Sequence, residues 1–240
     1  MPVPPTPMKD RLIVALDVPN ARAAQDMVGR IGEAAVFYKV GLQLFTAEGP
    51  SIVRELIASG RRVFLDLKLH DIPNTVAHAV KSAAALGAHM LTVHAGGGSD
   101  MLRAAVEAAD HRLKLLAVTV LTSMDQEDLN EIAIAGTIQT HVLHLAELAR
   151  RAGCDAVVSS PLEIRALRKF LGPDFGIVIP GVRPAGAATH DQQRTATPAQ
   201  TIADGASHIV VGRPITQAHD PAQAARAIVE EMSAGAMVTT

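Results

Sequence analysis

The sequence predicts a single-domain α/β protein closed into a (β/α)8 barrel. Two observations predict it: continuous apolar runs alternate with helical stretches throughout, and about eight such units fit into 240 residues. Unbroken apolar strands belong to parallel sheets covered on both faces, and barrels of this kind run to ~250 residues. The competing architecture is an open doubly wound sheet. It would be expected to place a G-x-G-x-x-G between a strand and a helix, and the sequence has no such segment. No linker, low-complexity tract or compositional break divides the chain. Residues 11–240 are therefore expected to form one barrel domain, behind a disordered Pro-rich leader over residues 1–10.

The elements follow in order. Residues 12–18 (LIVALDV) form the first strand, and Asn20 is placed to cap a helix running through Ile31. Residues 37–41 (FYKVG) form the second strand, followed by a helix over 51–59 that Gly60 ends. Residues 62–68 (RVFLDLK) form the third, followed by a helix over 74–86 stopped by Gly87. Residues 89–95 (HMLTVHA) are the fourth strand, with a helix starting near Ser99 and Asp100. Residues 114–121 (KLLAVTVL) are the fifth, followed by an acidic loop or short helix and a longer helix over 137–152. Residues 156–160, 176–182 and 207–212 supply the last three strands, and a final helix covers 221–232.

Composition narrows the function. Hydrophobic residues make up 48% and aromatics 2%, with no Trp, so the core must be built from Ala, Val, Leu and Ile. The lone Cys154 cannot form an internal disulfide, which points to a reducing compartment. A formal net charge of −2 leaves no broad basic surface for nucleic acid or an anionic membrane. No run approaches the ~20 apolar residues of a membrane span, and the N-terminus lacks the apolar core of a signal peptide. The expectation is a soluble, cytoplasmic protein.

In such a barrel the chemistry sits at the C-terminal ends of the strands. Charged residues stand there, although a buried core would otherwise forbid them. Asp17 closes the first strand, Lys39 lies near the end of the second, Asp66 and Lys68 end the third, and Asp71 follows in the next loop. Asp66 and Lys68 are two apart, so a strand turns both to the same side. Four charges of alternating sign at consecutive strand ends suggest a site, with a purely structural ion-pair network as the competing reading.

A second constellation lies near the far end of the chain, where Gly181-Val182-Arg183-Pro184 and Gly212-Arg213-Pro214 follow the last two strands. Those loops are the usual phosphate cradle of this fold, and Arg binds phosphate oxygens bidentately. One G-x-R-P is an ordinary turn; two Gly–Arg pairs at both expected places are more specific. His94 and the glycines at 96–98 could approach a ligand or simply make a turn. His141 and His144 could share a helix face as metal ligands, but no third ligand is placed to help. Cys154 reads as packing rather than as a nucleophile.

The segment Asp66-Leu67-Lys68-Leu69-His70-Asp71-Ile72-Pro73-Asn74-Thr75 resembles the signature of the orotidine 5'-phosphate decarboxylase family. LIVALDV, YKVGLQLFTAEGP, VTVHAGGG, LLAVTVLTSM, PGVRP, DQQR and VVGRPI resemble that family's strand-end motifs in order, from about Leu12 to the last helix. The departures are mild: Ile179 stands where a Thr is expected, and the loop over 185–190 is not distinctive.

The resemblance implies a (β/α)8 barrel enzyme that binds orotidine 5'-phosphate and needs no cofactor and no metal. It implies that Lys68 donates a proton, within a charged array of Lys39, Asp66, Lys68 and the neighbouring subunit's copy of Asp71. Asp17 and Lys39 would contact the ribose, and Thr122 or the adjacent Ser123 the pyrimidine. Gln192, Gly212 and Arg213 would hold the phosphate, joined by Arg183. Asp71, Ile72 and Thr75 would reach across a homodimer interface into the partner's site. A related barrel family, the Mg2+-dependent sugar-phosphate decarboxylases and aldolases, shares the Asp-x-Lys-x-x-Asp pattern. It is expected to carry an acid where this sequence has Lys39.

Overall fold

The computed structural model describes residues 6–184 and 196–237. Eight parallel strands close into a barrel in sequence order: β1 (Leu12–Ala15), β2 (Phe37–Gly41), β3 (Arg62–Leu69), β4 (Met90–His94), β5 (Lys114–Val118), β6 (Ala156–Val158), β7 (Gly176–Ile179) and β8 (His208–Val211). The first half of the chain interleaves α1 (Ala21–Ile31), α2 (Leu42–Glu48), α3 (Pro50–Ala58), α4 (Pro73–Ala85) and α5 (Gly98–Ala109). The second half adds α6 (Gln126–Glu131), α7 (Ile138–Ala152), α8 (Ile164–Leu171), α9 (Pro198–Ala203), α10 (Arg213–Thr216) and α11 (Pro221–Met237). The predicted barrel is the observed one.

Local signals act where expected. The Asn20 side chain accepts a hydrogen bond from the Ala23 N–H at 3.0 Å and starts α1. Thr137 starts α7 with a reciprocal cap to Thr140. Gly87 takes a φ of +83° just beyond α4, a conformation in which a side chain would be strained. Several strands are shorter than the apolar runs that predicted them: β1 stops at Ala15, and β5 at Val118. The ladder ends there, but the apolar pattern continues because Val120 and Leu121 line the mouth of the barrel. The helix α2, directly after β2, has no counterpart among the predicted elements. Across the expected boundary between leader and barrel, Met8–Arg11 form a 3-10 turn, and the Arg11 guanidinium donates to the Ala206 and Ser207 carbonyls at 2.6 and 2.9 Å. Residues 1–5 lie outside the described residues.

The core has two parts, one on each face of the sheet. Between strands and helices lies a continuous cluster mainly of Ala, Val, Leu and Ile, joined by Tyr38, Met27, Met101, Cys154 and Met232, so the core is not confined to the four expected residue types. Inside the barrel Ile13, Phe37, Phe64, Met90, Leu116, Val178 and Val210 fill the floor. Each such side chain contributes about 1.5–3 kcal/mol on burial. Strand alternation then fixes what stands above that floor. Two residues beyond Phe37 is Lys39, two beyond Phe64 is Asp66, two beyond Met90 is Thr92, and two beyond Val210 is Gly212. No helix among the described residues is long and apolar enough to cross a membrane.

Below the floor, the His208 ring meets Phe37 edge-on at 6.3 Å, and the Arg62 guanidinium lies 4.4 Å over the same ring. Burial, with Arg11, Lys114 and Arg62 nearby, pushes the His208 imidazole down to about 4 from 6.5. Between those values the unfolded chain binds the proton and the folded one does not, so acid favours unfolding. The contribution is complete above pH 6.5 and is lost as pH falls through about 4. It amounts to on the order of 3 kcal/mol at ~1.4 kcal/mol per pKa unit. His208→Gln is expected to gain on the wild type in urea-melt stability over that window as pH falls. A stability difference independent of pH would contradict this account.

Candidate active site

A cavity of about 480 Å³ opens at the C-terminal end of the barrel. Strands β1–β3 supply one wall with Asp17, Lys39, Asp66 and Lys68. These four form a chain of alternating charge. The Lys39 Nζ lies 2.9 Å from Asp17 Oδ1 and 3.6 Å from Asp66 Oδ2, and the Lys68 Nζ lies 3.0 Å from both Asp66 oxygens.

Asp66 is the central member, with 9% of its surface exposed. Burial alone would push its carboxyl up. The Lys39 and Lys68 ammoniums, with hydrogen bonds from Lys68 and Thr92, outweigh that and hold it below the ordinary value. It is therefore an anion at neutral pH. Gly41 makes room for the array: a Cβ there would stand 2.9 Å from the Lys39 Nζ and 3.4 Å from Asp17 Oδ1.

Strands β5 and β6 give the cavity an apolar side of Val118, Val120 and Val158, with Thr122 and Ser159 at its edge. Of the two candidates in LTSM, Thr122 lines the cavity and Ser123 is not among the lining residues. Strands β7 and β8, adjoining β1, lead into Arg183 and Arg213, which also line it. Arg183 is 8% exposed, and its Nε has no partner among the described residues. Burial, and then the Arg213 charge, pushes this guanidinium below its ordinary value. An anion bound between the two arginines would relieve both costs. Gly212 and Arg213 open the short helix α10, which starts at the cavity.

The other expected residues lie elsewhere. Asp71, Ile72 and Thr75 are exposed and do not line the cavity of this chain. Asp71 accepts a hydrogen bond from the Ile72 N–H. Gln192, and with it the DQQR motif and the loop over 185–190, lies outside the described residues. His94 packs against His70, ring centroids 5.4 Å apart, and a Cβ on Gly97 would collide with Met101. That glycine turn therefore serves packing. No cluster of three or more His, Cys, Asp or Glu among the described residues could hold a metal, the His141 and His144 pair included. Cys154 is buried, and burial followed by the Asp155 charge pushes its thiol up to about 12, which removes it as a nucleophile.

Thr92 is a residue that sequence reasoning missed, as it missed Gly41 and the cavity-lining Ser159 and Gln217. Thr92 is fully buried on β4, accepts from the Lys68 N–H at 2.9 Å and donates to Asp66 Oδ1 at 2.9 Å. Its sequence signal is faint: a hydroxyl inside an apolar strand, on the pleat that faces inward.

Comparison with known proteins places this geometry. The family model described as Orotidine 5'-phosphate decarboxylase / HUMPS matches residues 10–228. The chain belongs to that family. It is 53% identical over 228 residues to a protein named orotidine 5'-phosphate decarboxylase from Nitrosococcus oceani, covering 94% of this chain and 98% of the relative. It is 51% identical to one of the same name from Moorella thermoacetica, covering 93% and 92%. A crystal structure of orotidine 5'-phosphate decarboxylase from Lactobacillus acidophilus superposes with a TM-score of 0.84 at 41% identity, covering 93% of this chain and 99% of that one.

Family membership leaves open what Gly41 does, and the array supplies an expectation. The atom a new Cβ would strike is the end of a flexible side chain, so Gly41→Ala should fold. The Lys39 Nζ should then leave its 2.9 Å contact with Asp17. A crystal structure of the variant with that contact intact would contradict the role assigned to this glycine.

Proposed function

We propose that this protein decarboxylates orotidine 5'-phosphate to UMP, a step of pyrimidine biosynthesis, with its own side chains and no cofactor. The observation that carries the reading is the Asp17–Lys39–Asp66–Lys68 array sharing one cavity with Arg183 and Arg213. The relatives that bear this enzyme's name support it.

The reaction breaks the bond between the pyrimidine C6 and its carboxylate. CO2 leaves, and the electron pair stays on a ring carbon with no adjacent electron sink. Other decarboxylases take such a sink from pyridoxal phosphate or thiamine. Here fixed charge in a water-poor site supplies the stabilisation. The Lys68 ammonium attracts the pair and then transfers a proton to C6, and the resulting amine recovers a proton from water. Its contact with the ionised Asp66 supports this assignment, because it aims the ammonium at one place.

Enzymes remove ~8–23 kcal/mol from a barrier, more than one ammonium contact provides. Binding of the distant phosphate is therefore assigned a share in organising the site. Arg183, Gly212 and Arg213, with Gln192, are proposed to hold the phosphate, Asp17 and Lys39 the ribose, and Thr122 the edge of the pyrimidine. The protein is proposed to act as a homodimer in which Asp71, Ile72 and Thr75 enter the neighbouring site. The 67% exposure of Ile72 in the single chain supports a covered surface there. The free Cys154 fits a reducing, cytoplasmic setting.

A Mg2+-dependent sugar-phosphate decarboxylase or aldolase fits less well. The Lys39 ammonium would repel a divalent ion from Asp66, and Lys offers no anionic oxygen ligand.

Loss of orotidine monophosphate absorbance tests the activity directly, and full turnover in excess EDTA is expected; abolition by EDTA would favour the Mg2+-dependent reading. Lys68→Ala is expected to fold and bind UMP yet lose nearly all turnover, and substantial residual activity would remove Lys68 from the central role. Arg213→Ala is expected to raise KM roughly 10–100-fold, the worth of a charge-assisted hydrogen bond at ~1.5–3 kcal/mol. An unchanged KM with full kcat would count against the phosphate cradle.

A further inference from the structure

The end of β3 is not regular strand. Leu65 pairs with Leu91 of β4, but the next pair is Leu69 with Val93, so β3 carries two more residues than its partner over this stretch. Lys68 lies inside the bulge with a φ of +50°, a region that non-glycine residues seldom adopt. Such backbone persists only when its surroundings hold it.

The surroundings that hold it include one side chain. The Lys68 backbone N–H donates to Thr92 Oγ1 at 2.9 Å. A hydroxyl has one proton, and because the amide can only donate, that proton is free to go to Asp66 Oδ1, also at 2.9 Å. The Lys68 Nζ returns to both oxygens of the same carboxylate at 3.0 Å. A closed ring results, running from the Lys68 amide through Thr92 and Asp66 back to the Lys68 ammonium. Thr92 has 0% exposure and does not line the cavity, so among the described residues its hydroxyl reaches the site through Lys68 and Asp66.

We propose that Thr92 is a positioning residue for the decarboxylation assigned above: its hydroxyl pins the bulged backbone of Lys68 and orients Asp66, which sets where the ammonium points. The proposal rests on that assignment for its kinetic readout and on geometry alone for its structural one. Thr92→Val keeps shape and removes the hydroxyl. Thr92→Ser keeps the hydroxyl without the methyl, and Thr92→Ala lacks both.

The wild type is assayed first, so that absence of orotidine monophosphate decarboxylation counts against the assignment rather than against Thr92. With activity present, Thr92→Val should lower kcat at least ten-fold with KM changed less than about three-fold, and Thr92→Ser should recover most of the loss. If Thr92→Val folds poorly, the Ser and Ala variants share the missing methyl, and Ser should exceed Ala in kcat at least ten-fold. A Val variant with wild-type kcat, or Ser no better than Ala, would overturn the proposal. Crystal structures of the Val or Ala variant give the arm that needs no activity. Lys68 should leave positive φ, or its Nζ should leave Asp66; an unmoved Lys68 would sink the idea.

Discussion

Asp66 must remain ionised while almost out of water, and the cavity is organised around meeting that demand. Removing a carboxylate from water costs several kcal/mol even after relaxation. Lys39 and Lys68 approach it from two sides, and Thr92 donates a third contact from beneath. Each ammonium is itself largely withdrawn from solvent, with side-chain exposures of 12% and 31%. The charges are therefore mutually dependent. Removing Asp66 would leave Lys68 without this partner and Lys39 with Asp17 alone, so the three ion pairs are coupled through Asp66.

The barrel makes such an arrangement affordable. Its floor is sealed by Phe37, Phe64, Met90 and their neighbours, so the charges stand on a rigid apolar platform and not in a yielding loop. Parallel strands in register bring residues from β1, β2 and β3 side by side, with Ala15 opposite Lys39 and Gly41 opposite Asp66. The same closure brings β8 beside β1. The arginines at 183 and 213 thus line the same cavity as the array, although more than a hundred residues separate them from it in sequence. A fixed field needs fixed positions, and strand ends provide them.

Much of this was legible in the sequence because the barrel reads as repetition. The eight apolar runs, the Asn20 cap and the stop at Gly87 are local signals, set by backbone sterics and by hydrogen bonds within a few residues. The strand-end charges were legible for a related reason: a charge at the inward pleat of an apolar strand needs a partner or a ligand, so it stands out against the core. Strand lengths were overestimated, because residues such as Val120 are apolar to line a cavity rather than to pair in a ladder. Thr92 was not legible, since one hydroxyl among Met, Leu and Val carries no mark of what lies opposite it.

The sequence by itself determined the barrel and the set of charged residues at its mouth, since period-two alternation and local capping act along the chain; that Phe37, Phe64 and Met90 seal the floor was decided by the closed barrel. Tertiary structure alone decided how those charges meet. The two-residue bulge of β3, the left-handed Lys68, the room left by Gly41 and the hydroxyl of Thr92 between Lys68 and Asp66 depend on strands that touch only once the barrel is closed. Contacts between residues far apart in sequence have no local signature, and the fine geometry of the site consists of such contacts.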